Sequence, residues 1–314
     1  MARMELHTTP RLARRLRAVL FGAAVIGVLI GVNNLVLHLT MDPLADVHAY
    51  YDAGARLNAG LPLYDQPADT NAAAFYRYPP LLAIAFRPLA LLPFGVAAAL
   101  WEVTLIASFV VALRRLGHGR PAAWLALGIL AMPVAWSLTI GQAQVLVTAL
   151  LAFGAPWAVA LAANLKLLPV LAAVYWLGRR DWRSLGRFVA WIAGLALLQL
   201  VLEPRGTIAY LSFPSLGQVG EVSNLSPYGI SPLLWLVLVA AGTVLALRLA
   251  GTRYGWAAAV ALAVLATPRL LAYQLSTLLA ALAGPDRAPA TAARSEAASG
   301  SMTEEHGSMA VSRP

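Results

Sequence analysis

Long apolar runs alternate with short polar breaks along almost the whole chain, and that alternation predicts membrane helices. Reading the runs between breaks gives about ten segments: 18–40, 79–92, 94–114, 121–139, 142–154, 156–165, 167–178, 184–203, 231–250 and 256–283. A helix needs about 20 residues to cross ~30 Å of hydrocarbon. The runs 79–92, 142–154, 156–165 and 167–178 fall short of that, so they are expected to be re-entrant, broken or packed inside the bundle. Such segments are tolerated where other helices or a wet cavity satisfy the freed backbone groups. The last run holds Pro268 and is expected to divide there into two short helices. Gly27 and Gly31 form a Gly-x-x-x-Gly pair, which reads as a helix-packing surface. The expected fold is an all-α polytopic integral membrane protein with about 8–11 transmembrane or re-entrant helices.

Composition agrees with the pattern. The 314 residues are 60% hydrophobic and only 12% charged, whereas a soluble domain carries about 25% charged residues. The net charge of +9 does not point to nucleic acid, because the basic residues sit in short clusters between apolar runs. Cysteine is absent, which excludes disulfide scaffolds, thiolate metal sites and cysteine nucleophiles. Residues 1–17 read as a basic cytoplasmic N-terminus ahead of a retained first span, and 18–283 as the transmembrane domain. Residues 284–314, rich in Ala, Ser, Glu and Gly, read as a disordered cytoplasmic tail.

Charge also predicts sidedness. The N-terminal arginines, Arg114, Arg115, Arg120, Arg179, Arg180, Arg183, Arg187, Arg248, Arg253 and the tail arginines fall on one side, which is cytoplasmic by the positive-inside rule. Arg56, Arg77, Arg87, Lys166, Arg205 and Arg269 fall on the other, beside Asp42, Asp46, Asp52, Asp65, Asp69, Glu203 and Glu221. Cations placed against the rule need another reason, and an anionic lipid-linked substrate would supply one.

Outer loops are expected at 41–80 and 204–230. In the first, Asp46, Ala49, Tyr50, Ala53 and Leu57 fall at helical spacing, so 46–58 is read as an amphipathic helix in the interface. Asp46 would begin it, where an acid suits the helix dipole. The loop continues through Gly60-Leu61-Pro62-Leu63-Tyr64 to Arg77-Tyr78-Pro79-Pro80. Further motifs are Trp101, Gly141-Gln142-Ala143-Gln144, Lys166-Leu167-Leu168-Pro169, Asn224-Leu225-Ser226 and Thr267-Pro268-Arg269 ahead of Tyr273.

This ordered series resembles glycosyltransferase family 87, the actinobacterial polyprenol-phosphate-mannose-dependent alpha-mannosyltransferases of the GT-C superfamily. The resemblance runs from about Arg17 to Gly284. It implies a GT-C-like bundle in a bacterial plasma membrane, with mannosyl transfer from a polyprenyl-phosphate sugar donor to a lipid or envelope-glycan acceptor on the outer face. An aspartate in the first outer loop is the catalytic base of such enzymes, which puts Asp46 in that role. A carboxylate can take the proton of a sugar hydroxyl as the glycosidic bond forms, and a single displacement inverts the anomeric centre. Lys166, Arg77 and Arg269 are the candidates to hold the donor phosphate. No cofactor or metal is implied, because the leaving group is a single phosphate. The chain departs from the family pattern in a shorter stretch between Gln142 and Lys166. It also carries Arg269, Tyr273 and Gln274 near the Thr-Pro element, where relatives often have histidine.

Tyr50, Tyr51, His48, Tyr78, Gln142, Gln144, Asn224 and Tyr273 are the candidate substrate-binding residues, each with a plainer alternative. The tyrosines suit an interfacial aromatic belt, the glutamines suit bonds across helices, and His48 suits an ordinary loop position. Asp52 and Arg56, four apart, read as a surface ion pair. Glu102, in an apolar helix, is a second carboxylate candidate. Two other functions fit the same features: a transporter or flippase of a lipid-linked sugar, suggested by broken helices around Lys166, and a catalytically silent partner subunit, suggested by the chain's length.

Overall fold

A computed structural model describes residues 10–66, 75–117, 121–212 and 224–285. Residues 286–314 of the expected tail, part of the basic N-terminus, Asp69, Arg120 and Glu221 lie outside the described residues. In chain order the helices are α1 (Pro10–Met41), α2 (Ala45–Asn58), α3 (Pro80–Phe86), α4 (Phe94–Leu116), α5 (Pro121–Ile129), α6 (Ala131–Thr139) and α7 (Gln144–Phe153). They continue as α8 (Pro156–Leu165), α9 (Val174–Arg179), α10 (Trp182–Leu202), α11 (Pro204–Ser212), α12 (Pro232–Leu249) and α13 (Gly255–Leu265). 3-10 segments at Leu89–Leu91, Leu168–Ala173, Pro227–Gly229 and Ala272–Leu282 complete the described secondary structure.

Helices α1, α4, α10 and α12 are long and apolar enough to cross a membrane, and the bent pair α5–α6 makes a fifth span if counted as one. The protein is therefore an all-α polytopic membrane protein. α10 and α12 bury little of their length and expose Leu197, Val201, Leu233 and Val237. Lipid is the solvent that makes such a surface stable. α4 instead buries Trp101, Leu105, Ser108 and Ala112 at spacings of four and three, a seam turned to the bundle. α1 packs on α5 and α6 through its Gly-x-x-x-Gly pair. A side chain at Gly31 would meet Ala131 at 2.9 Å, and one at Gly27 would meet the Gly128 carbonyl.

The short apolar runs form the interior. α7 is buried along nearly its whole length, and with α8, α13 and the 3-10 helix Ala272–Leu282 it fills the core. Side chains meet some of the freed backbone groups, as where Trp256 Nε1 donates to Ala280 O at 3.1 Å. Gln199 of α10 donates to Asn164 Oδ1 at 2.7 Å and accepts from the Leu81 N–H at 3.0 Å, joining α8 to the first turn of α3.

Two expectations change. The run 121–139 is not one helix but two, bent by 63° around Leu130. Pro133 has no N–H to give and its ring crowds the carbonyl four residues back, which breaks the ladder there. Asp52 and Arg56 do not pair; Arg56 donates to the carbonyls of Pro62, at 2.8 Å, and Asp65 instead. A guanidinium fork suits two backbone carbonyls that the turn already fixes better than one mobile surface carboxylate.

The ends of the long helices segregate. α1 finishes, α4 starts, α10 finishes and α12 starts at the end that carries α2 and α3. Arg14, Arg17, Arg114, Arg115, Arg183, Arg187 and Arg248 occupy the opposite ends of those four helices.

Candidate active site

The site is built around the start of α2. Leu44 precedes it with a left-handed φ of 59°, a conformation held because the backbone on either side is tied to the end of α6. Leu44 N donates to Thr139 O and Asp46 N to Ile140 O, both at 3.0 Å. Gly141, at φ 70°, closes that corner, and its carbonyl accepts from Trp101 Nε1 at 2.8 Å. Val47 Cγ2 occupies the space a Cβ on Gly141 would need, so the sequence Gly141-Gln142 lets α2 lie against α6.

Asp46 does not cap its helix. Its Oδ1 accepts from Tyr78 Oη at 3.1 Å. Behind it runs a chain of hydrogen bonds. Ala143 N donates to Tyr50 Oη (3.2 Å), Tyr50 Oη to Gln142 Oε1 (2.7 Å), and Gln142 Nε2 to Tyr78 Oη (3.1 Å). Burial of this loop-borne carboxyl pushes Asp46 up to about 6, against the opposing pull of the Lys166 charge and the Tyr78 hydroxyl. In its carboxylate form it can accept a proton.

Asp46 faces a cavity of about 310 Å³, whose wall also includes Arg77, Tyr78, Gln144, Lys166, Arg269 and Tyr273. Lys166 stands where α8 breaks into extended backbone (φ −144°, ψ 127°) ahead of Pro169. Its Nζ donates to Gln144 Oε1 at 2.7 Å and lies 5.2 Å from the ring centres of both Tyr78 and Tyr273. Gln144 is itself held by Thr277 at 2.5 Å. Arg77 donates to Phe75 O at 3.0 Å, and burial together with the neighbouring Arg269 lowers its pKa. Arg269 has Nε and Nη1 buried with no hydrogen-bond partner among the described residues. Cations crowded together, one of them with unmet donors, make a ready anion site.

The other expected site residues lie elsewhere. Tyr50 and Gln142 are fully buried behind the wall as links in the chain to Asp46. His48 is exposed and stacks on Phe94 with ring centres 3.8 Å apart, and Tyr51 Oη donates to Leu92 O at 2.7 Å. Asn224 does not line the cavity. It donates to Pro268 O at 2.8 Å and accepts from Leu270 N at 2.9 Å, clamping the turn that carries Arg269. Glu102 sits against Gly141 on α4, outside the cavity wall. Of the six cations read as misplaced, Arg77, Lys166 and Arg269 line the cavity, while Arg56 and Arg87 brace the loop and Arg205 lies away from it. The cavity wall also contains Asp42, Trp136, Tyr210 and Gln274, which pattern reading did not select. The signal that could have pointed to Asp42 is its position four residues ahead of Asp46 and four after His38.

Residues 75–285 match the family model described as Glycosyltransferase family 87. A polyprenol-phosphate-mannose-dependent alpha-(1-2)-phosphatidylinositol pentamannoside mannosyltransferase of Mycolicibacterium smegmatis is 34% identical over 206 residues, covering 59% of this chain and 49% of that protein. Its counterpart of the same description in Mycobacterium tuberculosis is 31% identical over 211 residues, covering 58% of this chain and 47% of that protein. The chain thus spans about half the length of the curated relatives it matches. No solved structure matches it.

Proposed function

The chain belongs to glycosyltransferase family 87, and from that premise we propose that it transfers a mannosyl unit from a polyprenyl-phosphate donor to a glycolipid or envelope-glycan acceptor. The observation that carries this reading is the meeting of the Asp46 carboxylate with Lys166, Arg77 and Arg269 in a single cavity at one end of a membrane bundle. The mannosyltransferases it resembles, both dependent on polyprenol-phosphate-mannose, support the donor class.

In the proposed reaction the acceptor hydroxyl oxygen attacks the anomeric carbon as its proton passes to Asp46. The bond from that carbon to the phosphate oxygen breaks, and its electron pair stays on the departing polyprenyl phosphate. One displacement inverts the anomeric centre. The phosphate gains a negative charge as the bond breaks, so the cations bind it more strongly in the transition state than in the ground state. Apolar wall residues such as Leu167, Val264 and Leu271 suit the prenyl chain beside them. In this reading the end of the bundle that carries α2 faces outward and the arginine-rich end faces the cytoplasm.

The test is transfer of labelled mannose from polyprenyl phosphomannose by the purified protein in nanodiscs, with a mannosylated phosphatidylinositol as acceptor. Asp46→Ala is expected to lower turnover by about 10²–10⁴-fold, the range of a general base. Undiminished transfer by that variant removes Asp46 from the mechanism, and phosphate-sugar binding without any transfer in the wild type sinks the transferase reading.

A further inference from the structure

Resting on the transferase reading, we propose that Asp42, His38 and Trp136 form the subsite for the acceptor sugar, with the Asp42 carboxylate receiving hydrogen bonds from its hydroxyls. Asp42 lies between the end of α1 and the start of α2, and it lines the same cavity as Asp46. One of its oxygens, Oδ1, is engaged by His38 Nδ1 at 2.6 Å. No lysine or arginine lies within ion-pair distance of Asp42 among the described residues. The side chain remains 43% exposed while His38 is only 13% exposed, so the histidine is the fixed partner and the carboxylate the presented one.

His38 is held in turn by its ring stacking on Trp136, with centres 4.9 Å apart and planes 14° from parallel. Trp136 gives its remaining surface to the cavity wall, and Tyr273 meets it edge-on at 5.6 Å. An indole beside a carboxylate is suited to a sugar: the apolar C–H face of the ring packs on the aromatic surface, and the hydroxyls reach the acid.

The cavity wall is chemically divided. Lys166, Arg77 and Arg269 gather around Tyr78 and Tyr273, where the phosphate of the donor belongs. Asp42 and Trp136 supply a part that would repel a phosphate and accept neutral hydroxyls. Asp46 belongs to both sets. It feels the Lys166 charge, yet stands four residues beyond Asp42 in sequence, with Pro43, Leu44 and Ala45 between them. A proton acceptor between the donor's anomeric carbon and the acceptor's hydroxyl is what the displacement needs.

The experiment is saturation-transfer NMR of methyl α-D-mannopyranoside with the full chain in nanodiscs, alongside binding of citronellyl phosphate as a short donor-phosphate probe. Asp42→Asn is expected to weaken mannoside binding by about tenfold relative to wild type, the loss of a charged hydrogen bond. Asp42→Asn is expected to bind citronellyl phosphate unchanged, which also reports that it is folded. Trp136→Leu should reproduce the selective loss of mannoside. Wild-type mannoside affinity in Asp42→Asn overturns the subsite, as does no mannoside binding by wild type, or equal loss of both probes. If the mannoside binds with the expected selectivity and no transfer occurs, the subsite stands and the transferase reading falls.

Discussion

Tyr78 donates its hydroxyl to Asp46 at 3.1 Å, although the two residues stand 32 positions apart on opposite arms of one loop. The bond closes that loop over the cavity and ties the proposed base to the loop arm that carries Arg77. It also lets pH report on the site. Asp46 is protonated below about 6, so turnover is expected to rise with pH through that value and level off above it. Lys166 and the Tyr78 hydroxyl both favour the carboxylate, so removing either raises the Asp46 pKa. Lys166→Met should therefore move the rising limb to higher pH, and Tyr78→Phe should do so by a smaller step. A pH–rate profile of kcat for the three proteins checks this; a limb that stays in place in both variants assigns it to another group.

Tyr50→Phe tests the buried chain. The change leaves Gln142 Oε1 and the Ala143 N–H without the Tyr50 hydroxyl that serves both. Loss of about 1–3 kcal/mol of stability is expected, the cost of unsatisfied buried polar groups. Turnover should fall by much less than in Asp46→Ala. Thermal unfolding in nanodiscs with a parallel transfer assay measures both, and an unchanged melting point would mean the chain contributes nothing to the fold.

Gly141→Ala combines a left-handed backbone with a collision against Val47 Cγ2. Relief requires α2 to move off α6, carrying Asp46 with it. The variant is expected to lose at least about 1–3 kcal/mol, as overpacking does, and to lose turnover as well. Gly95→Ala, at the start of α4 with open space around it, is the matched control and should behave as wild type. Equal behaviour of the two variants would contradict the packing described here.

Arg269→Gln removes a guanidinium whose Nε and Nη1 have no partner among the described residues. Donor KM is expected to rise by about tenfold or more, the worth of a charge-assisted hydrogen bond, while stability holds or improves. Titration with citronellyl phosphate checks the binding directly. A donor KM equal to wild type would take Arg269 out of the phosphate site.

Much of the architecture was legible in the sequence because membrane helices announce themselves by length and apolarity. The helix at 46–58, the interior place of the short runs and the interruption at Pro268 all follow from local rules. What local rules could not give is what a side chain faces. Helical spacing put Asp46, Ala49, Tyr50 and Ala53 on one face of α2, but Tyr50 meets Gln142 across 92 positions and His48 meets Phe94 instead of the cavity. Arg56 had a carboxylate four residues away and took two loop carbonyls. Asn224 resembled a ligand-binding loop residue and is a clamp on the Arg269 turn. Asp42 and Trp136 share the cavity only because α1 and α6 pack together, a contact no periodicity encodes.

The hydrogen bonds from Ala143 through Tyr50, Gln142 and Tyr78 all point toward Asp46, and they begin at a peptide N–H. Such a line is a blind alley for protons: each link already gives its hydrogen forward, and the far end has nowhere to hand one on. In the proposed reaction, a proton received by Asp46 therefore leaves on the cavity side, the same side through which the sugars come and go.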